Sequence, residues 1–185
     1  FGFVQGQVLP LYGGLNEFLS AVVAARLLRV HLSAADLVAV VACIECTIPF
    51  RKPDSHGRTA ADRLAQRVHA QYSGLFGDLA LADAQAMVMR VVCDAIALAN
   101  RDVGSFSAQD PGQFLSSTWL LIEESNAPLA VAGKYTLQEY RHGLTRMDAF
   151  LRNLDPGDIF QHYQGYPSPH EVAGLCAVAA RNIAF

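Results

Sequence analysis

Apolar residues recur along this chain at intervals of three and four, and the gaps between those runs carry the residues that start and stop helices. From Leu15 to Leu32 the positions Leu15, Phe18, Leu19, Val22, Val23, Leu27 and Val30 keep that spacing and predict a first helix. Ser33, three residues before Asp36, forms a capping box that restarts a helix running to about Cys46. Pro49 and Pro53 then break the chain into a polar, basic loop over Thr47–Gly57. Thr59 and Asp62 make a second capping box, and the helix behind them runs through Leu64, Val68 and Tyr72 until Gly74 and Gly77. A long helix follows over about Ala82–Asp102 and ends near Gly104. Asp110–Pro111 joins an N-cap to a proline at the first helical position, ahead of Phe114, Leu115, Trp119 and Ile122. Thr136 and Glu139 form a third capping box. Its helix carries Leu137, Tyr140, Leu144, Met147, Leu151 and Leu154 in a seam of alternating three and four. Asp155-Pro156-Gly157 turns the chain, and Ser168–Pro169 opens a last helix through Val172, Leu175 and Ala179.

No run of period two bounded by turns appears, and no internal repeat. The pattern therefore predicts an all-α fold, a single domain over residues 1–185 built as a bundle of about seven helices. Composition agrees: 185 residues that are 52% hydrophobic and 17% charged can bury a core and are neither disordered nor fibrous. A net charge of −3 argues against nucleic acid or an anionic membrane as partner, because phosphate backbones need a basic face. Cys43, Cys46, Cys93 and Cys176 all sit in apolar runs and read as reduced core thiols, which suits a cytoplasmic protein. Cys43 and Cys46 form a C-x-x-C pair with no second pair after it, so a zinc knuckle is not expected. The apolar stretch Leu37–Ile44 is too short to cross a bilayer, and there is no signal-peptide pattern. The chain opens at Phe1 rather than Met, which leaves room for residues upstream.

In a helical bundle the informative residue is a charge where the pattern demands an apolar group. Glu45 is such a charge, standing near the end of a helix that is apolar on every side. An unpaired buried carboxylate is costly, so Glu45 should hold a cation, a metal or a proton. It reads either as a general base or metal ligand, with a divalent ion as the cofactor, or as a helix-end carboxylate that reaches water or pairs structurally with Arg51. Asp83, Arg90, Asp94 and Arg101 form a second anomaly, one narrow stripe on the long helix. That stripe is either the helix's solvated face or the wall of a polar cleft ending at Asp102. The third is the loop Arg51–Arg58, just ahead of a capped helix, where unpaired N–H groups and a positive dipole end suit an anion. Arg51, Arg58 and Arg63 would add charge for phosphate or carboxylate, with His56 at the mouth beside Gly57; the alternative is a solvated basic loop. His142 lies about 200° round its helix from Tyr140, opposite the seam, and solvent is its expected surrounding. H-E-x-x-H, G-x-S-x-G, the P-loop, G-x-G-x-x-G and the His-Asp pair of helical phosphohydrolases are all absent.

The stretch Lys52-Pro53-Asp54-Ser55-His56-Gly57-Arg58-Thr59-Ala60-Ala61-Asp62-Arg63 resembles the R-P-x-H-G-x-x-x-x-x-R stretch of the all-helical phosphodiesterase domain in SidE-type bacterial effectors. The resemblance implies that His56 takes up a phosphoryl group covalently and that Arg63 contacts the phosphate. It also implies that Tyr140-Arg141-His142-Gly143-Leu144 carries the second histidine, His142. The acid would come from the Arg101–Asp102 region, with Asp102 where the family has a glutamate, and the family's substrate is a phosphodiester of ADP-ribosylated ubiquitin. The matched motif covers about a tenth of the chain.

Two readings follow. In one, the chain is a phosphodiesterase or related hydrolase holding a small phosphate-containing or anionic ligand in a polar cleft. His56 would be nucleophile or acid/base, Arg51, Arg58 and Arg101 would stabilise phosphate, and Glu45 or Asp94 would orient the histidine or hold a divalent ion. Glu45, His56 and Arg101 should then converge on one pocket. In the other, the chain is a non-catalytic helical module that binds a ligand or forms a homodimer through its apolar helix faces.

Overall fold

A computed structural model describes residues 1–9, 11–77, 81–129 and 133–185. Among them are seven α-helices and no β-strand: α1 (Asn16–Leu28), α2 (Ala34–Cys46), α3 (Ala60–Leu75), α4 (Leu81–Asp102), α5 (Pro111–Ser125), α6 (Leu137–Asn153) and α7 (Pro169–Ala184). The caps read from the sequence start them. Thr59 Oγ1 accepts from the Asp62 N–H at 3.1 Å while Asp62 accepts from the Thr59 N–H at 2.8 Å, a reciprocal pair that opens α3. Thr136 with Glu139 and Ser168 with Glu171 do the same for α6 and α7. Asp110 caps α5 by accepting from the Gly112 N–H, with Pro111 in the first turn.

The first helix is shorter than its periodicity suggests. It ends at Leu28, and Arg29–Leu32 turn on two hydrogen bonds to the Leu28 carbonyl. Ser33 must be extended, at ψ 161°, to cap α2, and an extended residue cannot continue the helix before it.

α2 packs against α1, α3 and α4, and α3 packs against α4. Their shared core holds Ala42, Cys46, Leu64, Val68, Tyr72, Val92 and Ile96, all buried. Small residues on the facing sides, Ala61, Ala65 and Ala95, bring the helices close. A second cluster forms where Phe106, in the short 3-10 turn Gly104–Ser107, meets Phe114 of α5, Ala179 of α7, and Ile159 and Phe160. A third joins Ile122 and Leu129 to Met147 of α6.

The leucine seam of α6 lies inside the molecule. Tyr140, Leu144, Met147 and Leu151 pack into the third cluster, Leu151 and Leu154 reach the second, and Leu137 alone stands mostly exposed. The seam therefore packs mainly within the chain. Two asparagines tie the ends of the fold together. Asn100 donates to the Gln161 carbonyl at 2.9 Å and accepts from the Gln161 N–H at 2.7 Å. Asn182, fully buried, donates to the carbonyls of Phe106 and Ala108 at 3.0 and 2.9 Å.

Candidate functional site

Glu45 is 2% exposed, the most deeply buried charge among the described residues. It sits in the last turn of α2, where the helix already lies against α3. Arg67 Nη2 bonds directly to Oε1, Arg51 Nη1 approaches the same oxygen at 3.4 Å, and the Phe1 nitrogen lies 3.0 Å from Oε2. Arg51 Nη2 also donates to the Glu45 carbonyl at 3.1 Å, closing the end of α2. Burial by itself pushes the Glu45 carboxyl up. Arg67 first, and then the Phe1 nitrogen, outweigh it and hold the group below the usual carboxylate range. Burial likewise lowers Arg51, against the pull of Glu45.

Two guanidiniums thus surround one carboxylate, so positive charge exceeds negative in the cluster. It is also incompletely bonded. Nε of Arg51 and Nε of Arg67 are both buried without a hydrogen-bond acceptor. Arg67, Glu45 and Gln71 supply the polar lining of a cleft of about 400 Å³ between α2 and α3. Its walls are aliphatic, with Leu37, Val38 and Val41 on one side and Leu64 and Val68 on the other. Phe1 lies at its edge, its ring packed edge-on against Phe18 of α1 at 5.4 Å.

The loop ahead of α3 is organised around its own acid. Asp54 Oδ1 accepts from the N–H groups of His56 and Arg58 at 2.9 and 3.0 Å, and its Oδ2 takes the Arg58 Nε at 2.9 Å. Arg63 donates to the carbonyls of Arg58 and Lys52. The capping box of Thr59 and Asp62 occupies the N–H groups of those two residues. Arg51, Arg58 and Arg63, the arginines expected to receive an anion here, therefore each spend hydrogen bonds inside the chain. Gly57, at φ +74°, supplies the left-handed turn that lets the loop close on Asp54.

His56 itself is exposed, and so are Asp83, Arg90, Asp94, Arg101, Asp102 and His142. The stripe on α4 is the helix's solvated face. The cleft beside Glu45 is lined by neither His56 nor Arg101, so the expected convergence of these three on one pocket does not occur. Of the residues singled out in the sequence, the structure brings together Glu45 and Arg51. It adds Arg67, whose signal lay in its position three residues after Leu64, at the edge of the buried face of α3. Among the described residues, no group of three or more His, Cys, Asp or Glu side chains is placed to hold a metal ion.

A second cleft, about 560 Å³, opens on the other side of α3, toward α4 and the turn at Tyr163–Tyr166. Its lining includes Asp62, Gln66, His69, Gln85, Tyr163 and Gln164, none of which stood out in the sequence as site residues. Their polar side chains look like ordinary helix surface until the turn at 163 is folded beside them. No helix among the described residues is long and apolar enough to cross a membrane. Comparison with known proteins finds no matching family model, no matching curated protein and no matching solved structure.

Proposed function

We propose that this chain is a non-catalytic helical binding module whose ligand is a small amphiphile with an anionic head. The observation that carries this is the excess of guanidinium charge beside an aliphatic cleft: Arg67 shares one buried carboxylate with Arg51, lines the cleft and still reaches solvent. A carboxylate or phosphate head would supply negative charge to the solvent-facing side of the Arg67 guanidinium, in the geometry that group favours. The apolar body would lie against Leu37, Val38, Val41, Leu64 and Val68. A cleft of about 400 Å³ is in the usual size range for small ligands, about 300–1,000 Å³. Arg67 keeps about a quarter of its side chain accessible, 28%, so the head can reach it from solvent.

Calorimetry with octanoate, octyl phosphate and octanol tests the reading. Both anions bind saturably and octanol binds more weakly by about tenfold or more, the value of a charge-assisted hydrogen bond. Arg67→Gln abolishes the preference. Because that change also disturbs Glu45, Val41→Phe serves as the second variant: it fills the cleft without touching the ion cluster and blocks both anions. Equal binding of all three probes, or binding unaffected by Val41→Phe, overturns the proposal. Turnover of a bis(nitrophenyl) phosphate that disappears in His56→Ala would replace it with the hydrolase reading.

A further inference from the structure

The second cleft has a chemistry opposite to the first. No lysine or arginine lines it, and its one carboxylate, Asp62, disfavours an anionic ligand. Its polar lining is dominated by amides from three separate elements: Gln66 of α3, Gln85 of α4 and Gln164 of the turn that follows Ile159 and Phe160. Each amide offers donors and an acceptor together, and each hydroxyl of a polyol does the same. We propose that the α3–α4 cleft is a binding site for a neutral polyhydroxyl ligand of the size of a mono- or disaccharide, separate from the anion site across α3.

Three features hold Asp62, Gln66 and Gln164 in place before any ligand arrives. Asp62 Oδ2 receives the N–H and hydroxyl of Thr59 at 2.8 and 2.7 Å, which immobilises the carboxylate. Its Oδ1 has no hydrogen bond among the described residues and is left to accept. Gln66 Oε1 takes Arg58 Nη1 at 3.3 Å, which fixes the amide and leaves its Nε2 to donate. The turn is closed by paired main-chain bonds between Tyr163 and Tyr166 at 2.8 and 2.9 Å, and Gln164 Nε2 donates to the Tyr163 hydroxyl at 3.1 Å. The half-buried Tyr163 ring, with Val88 and Met89, supplies apolar surface for the C–H faces that a sugar presents between its hydroxyls. Preorganised groups of this kind keep the entropic cost of binding low.

The test is a ¹⁵N-detected NMR titration of the full chain with cellobiose, maltose and chitobiose, with glucose and glucose 6-phosphate as a charge pair. At least one disaccharide produces saturable shifts at Gln66, Gln85 and Gln164, and glucose 6-phosphate binds no tighter than glucose. Gln85→Ala and Gln164→Ala, both at exposed positions and so compatible with folding, each raise Kd about tenfold, the loss of one or two neutral hydrogen bonds. Saturating octanoate leaves the sugar shifts unchanged, which separates this site from the cleft beside Glu45. Absence of saturable shifts with all three disaccharides, tighter binding of the phosphorylated sugar, or a Kd that neither variant alters overturns the proposal.

Discussion

Replacing Glu45 by glutamine keeps the shape of the buried side chain and removes its charge, so it measures what the carboxylate does for Arg51 and Arg67. In the wild type the acid is 2% exposed while the two arginine side chains keep 19% and 28% of their surface. Removing one partner of a fully buried ion pair typically costs about 3–5 kcal/mol, because the remaining charge is stranded away from water. The guanidiniums here are partly solvated, which places Glu45→Gln at the lower end, about 3 kcal/mol. For a chain of 185 residues that corresponds to a fall in Tm of about 6–12 °C. Urea unfolding followed by circular dichroism reads the loss as a shift in midpoint at unchanged slope. The acid limb gives an independent check. The Glu45 carboxyl is held below its ordinary value when folded, so the unfolded chain takes up the proton first as pH falls. The stability contributed by Glu45 is therefore complete above about pH 4.3, the free carboxyl value, and drains away as pH drops through the lower folded value. Glu45→Gln loses that part of the acid dependence. A triple variant, Glu45→Leu with Arg51→Met and Arg67→Met, regains most of the loss, because it strands neither guanidinium. A cost for Glu45→Gln under about 0.5 kcal/mol, the scale of an exposed pair, would refute the picture of a buried cluster.

Two further outcomes follow from burial. Cys46 is 2% exposed and burial pushes its thiol up to about 12, so iodoacetamide at pH 8 labels Cys43, Cys93 and Cys176 first in native protein, as mass spectrometry of timed samples will show; labelling of Cys46 at the rate of the others would contradict its packing. Ile96→Ala, at a position with no exposed surface, lowers stability by about 2–5 kcal/mol. Leu27→Ser on the open side of α1 stays within about 0.5 kcal/mol, and thermal melts that reverse this order would be incompatible with the described core.

What could be read from the sequence was what the chain decides over three or four residues. Thr59 with Asp62, Thr136 with Glu139, and Ser168 ahead of Pro169 start helices where their identities say they should, because each cap is completed inside one turn. Glu45 was legible as an anomaly, and Arg51 as a partner only six residues away. Arg67 was not, since twenty-two residues and the docking of α3 on α2 separate it from Glu45. The stripe from Asp83 to Arg101 shows the limit of periodicity, which groups residues on one face without saying whether the face meets a neighbour or water. The same holds for the α6 seam, whose spacing fits an interface and a core equally. The basic loop holds a partner of its own that its charge count hides: Asp54 sits among its cations, and its short side chain takes the His56 and Arg58 amides and the Arg58 guanidinium.

The exchange of hydrogen bonds between Asn100 and Gln161 bears on where this protein could be divided. Helices α1 to α4 look like a natural fragment when the order of elements is read along the chain. Yet the end of α4 is stitched to a segment sixty-one residues further on, and Tyr163 from that segment leans on the first core. A cut anywhere between α4 and α5 would leave Asn100 without its partner and remove the Tyr163 side of the amide-lined cleft, so the boundary suggested by linear order is not a boundary in space.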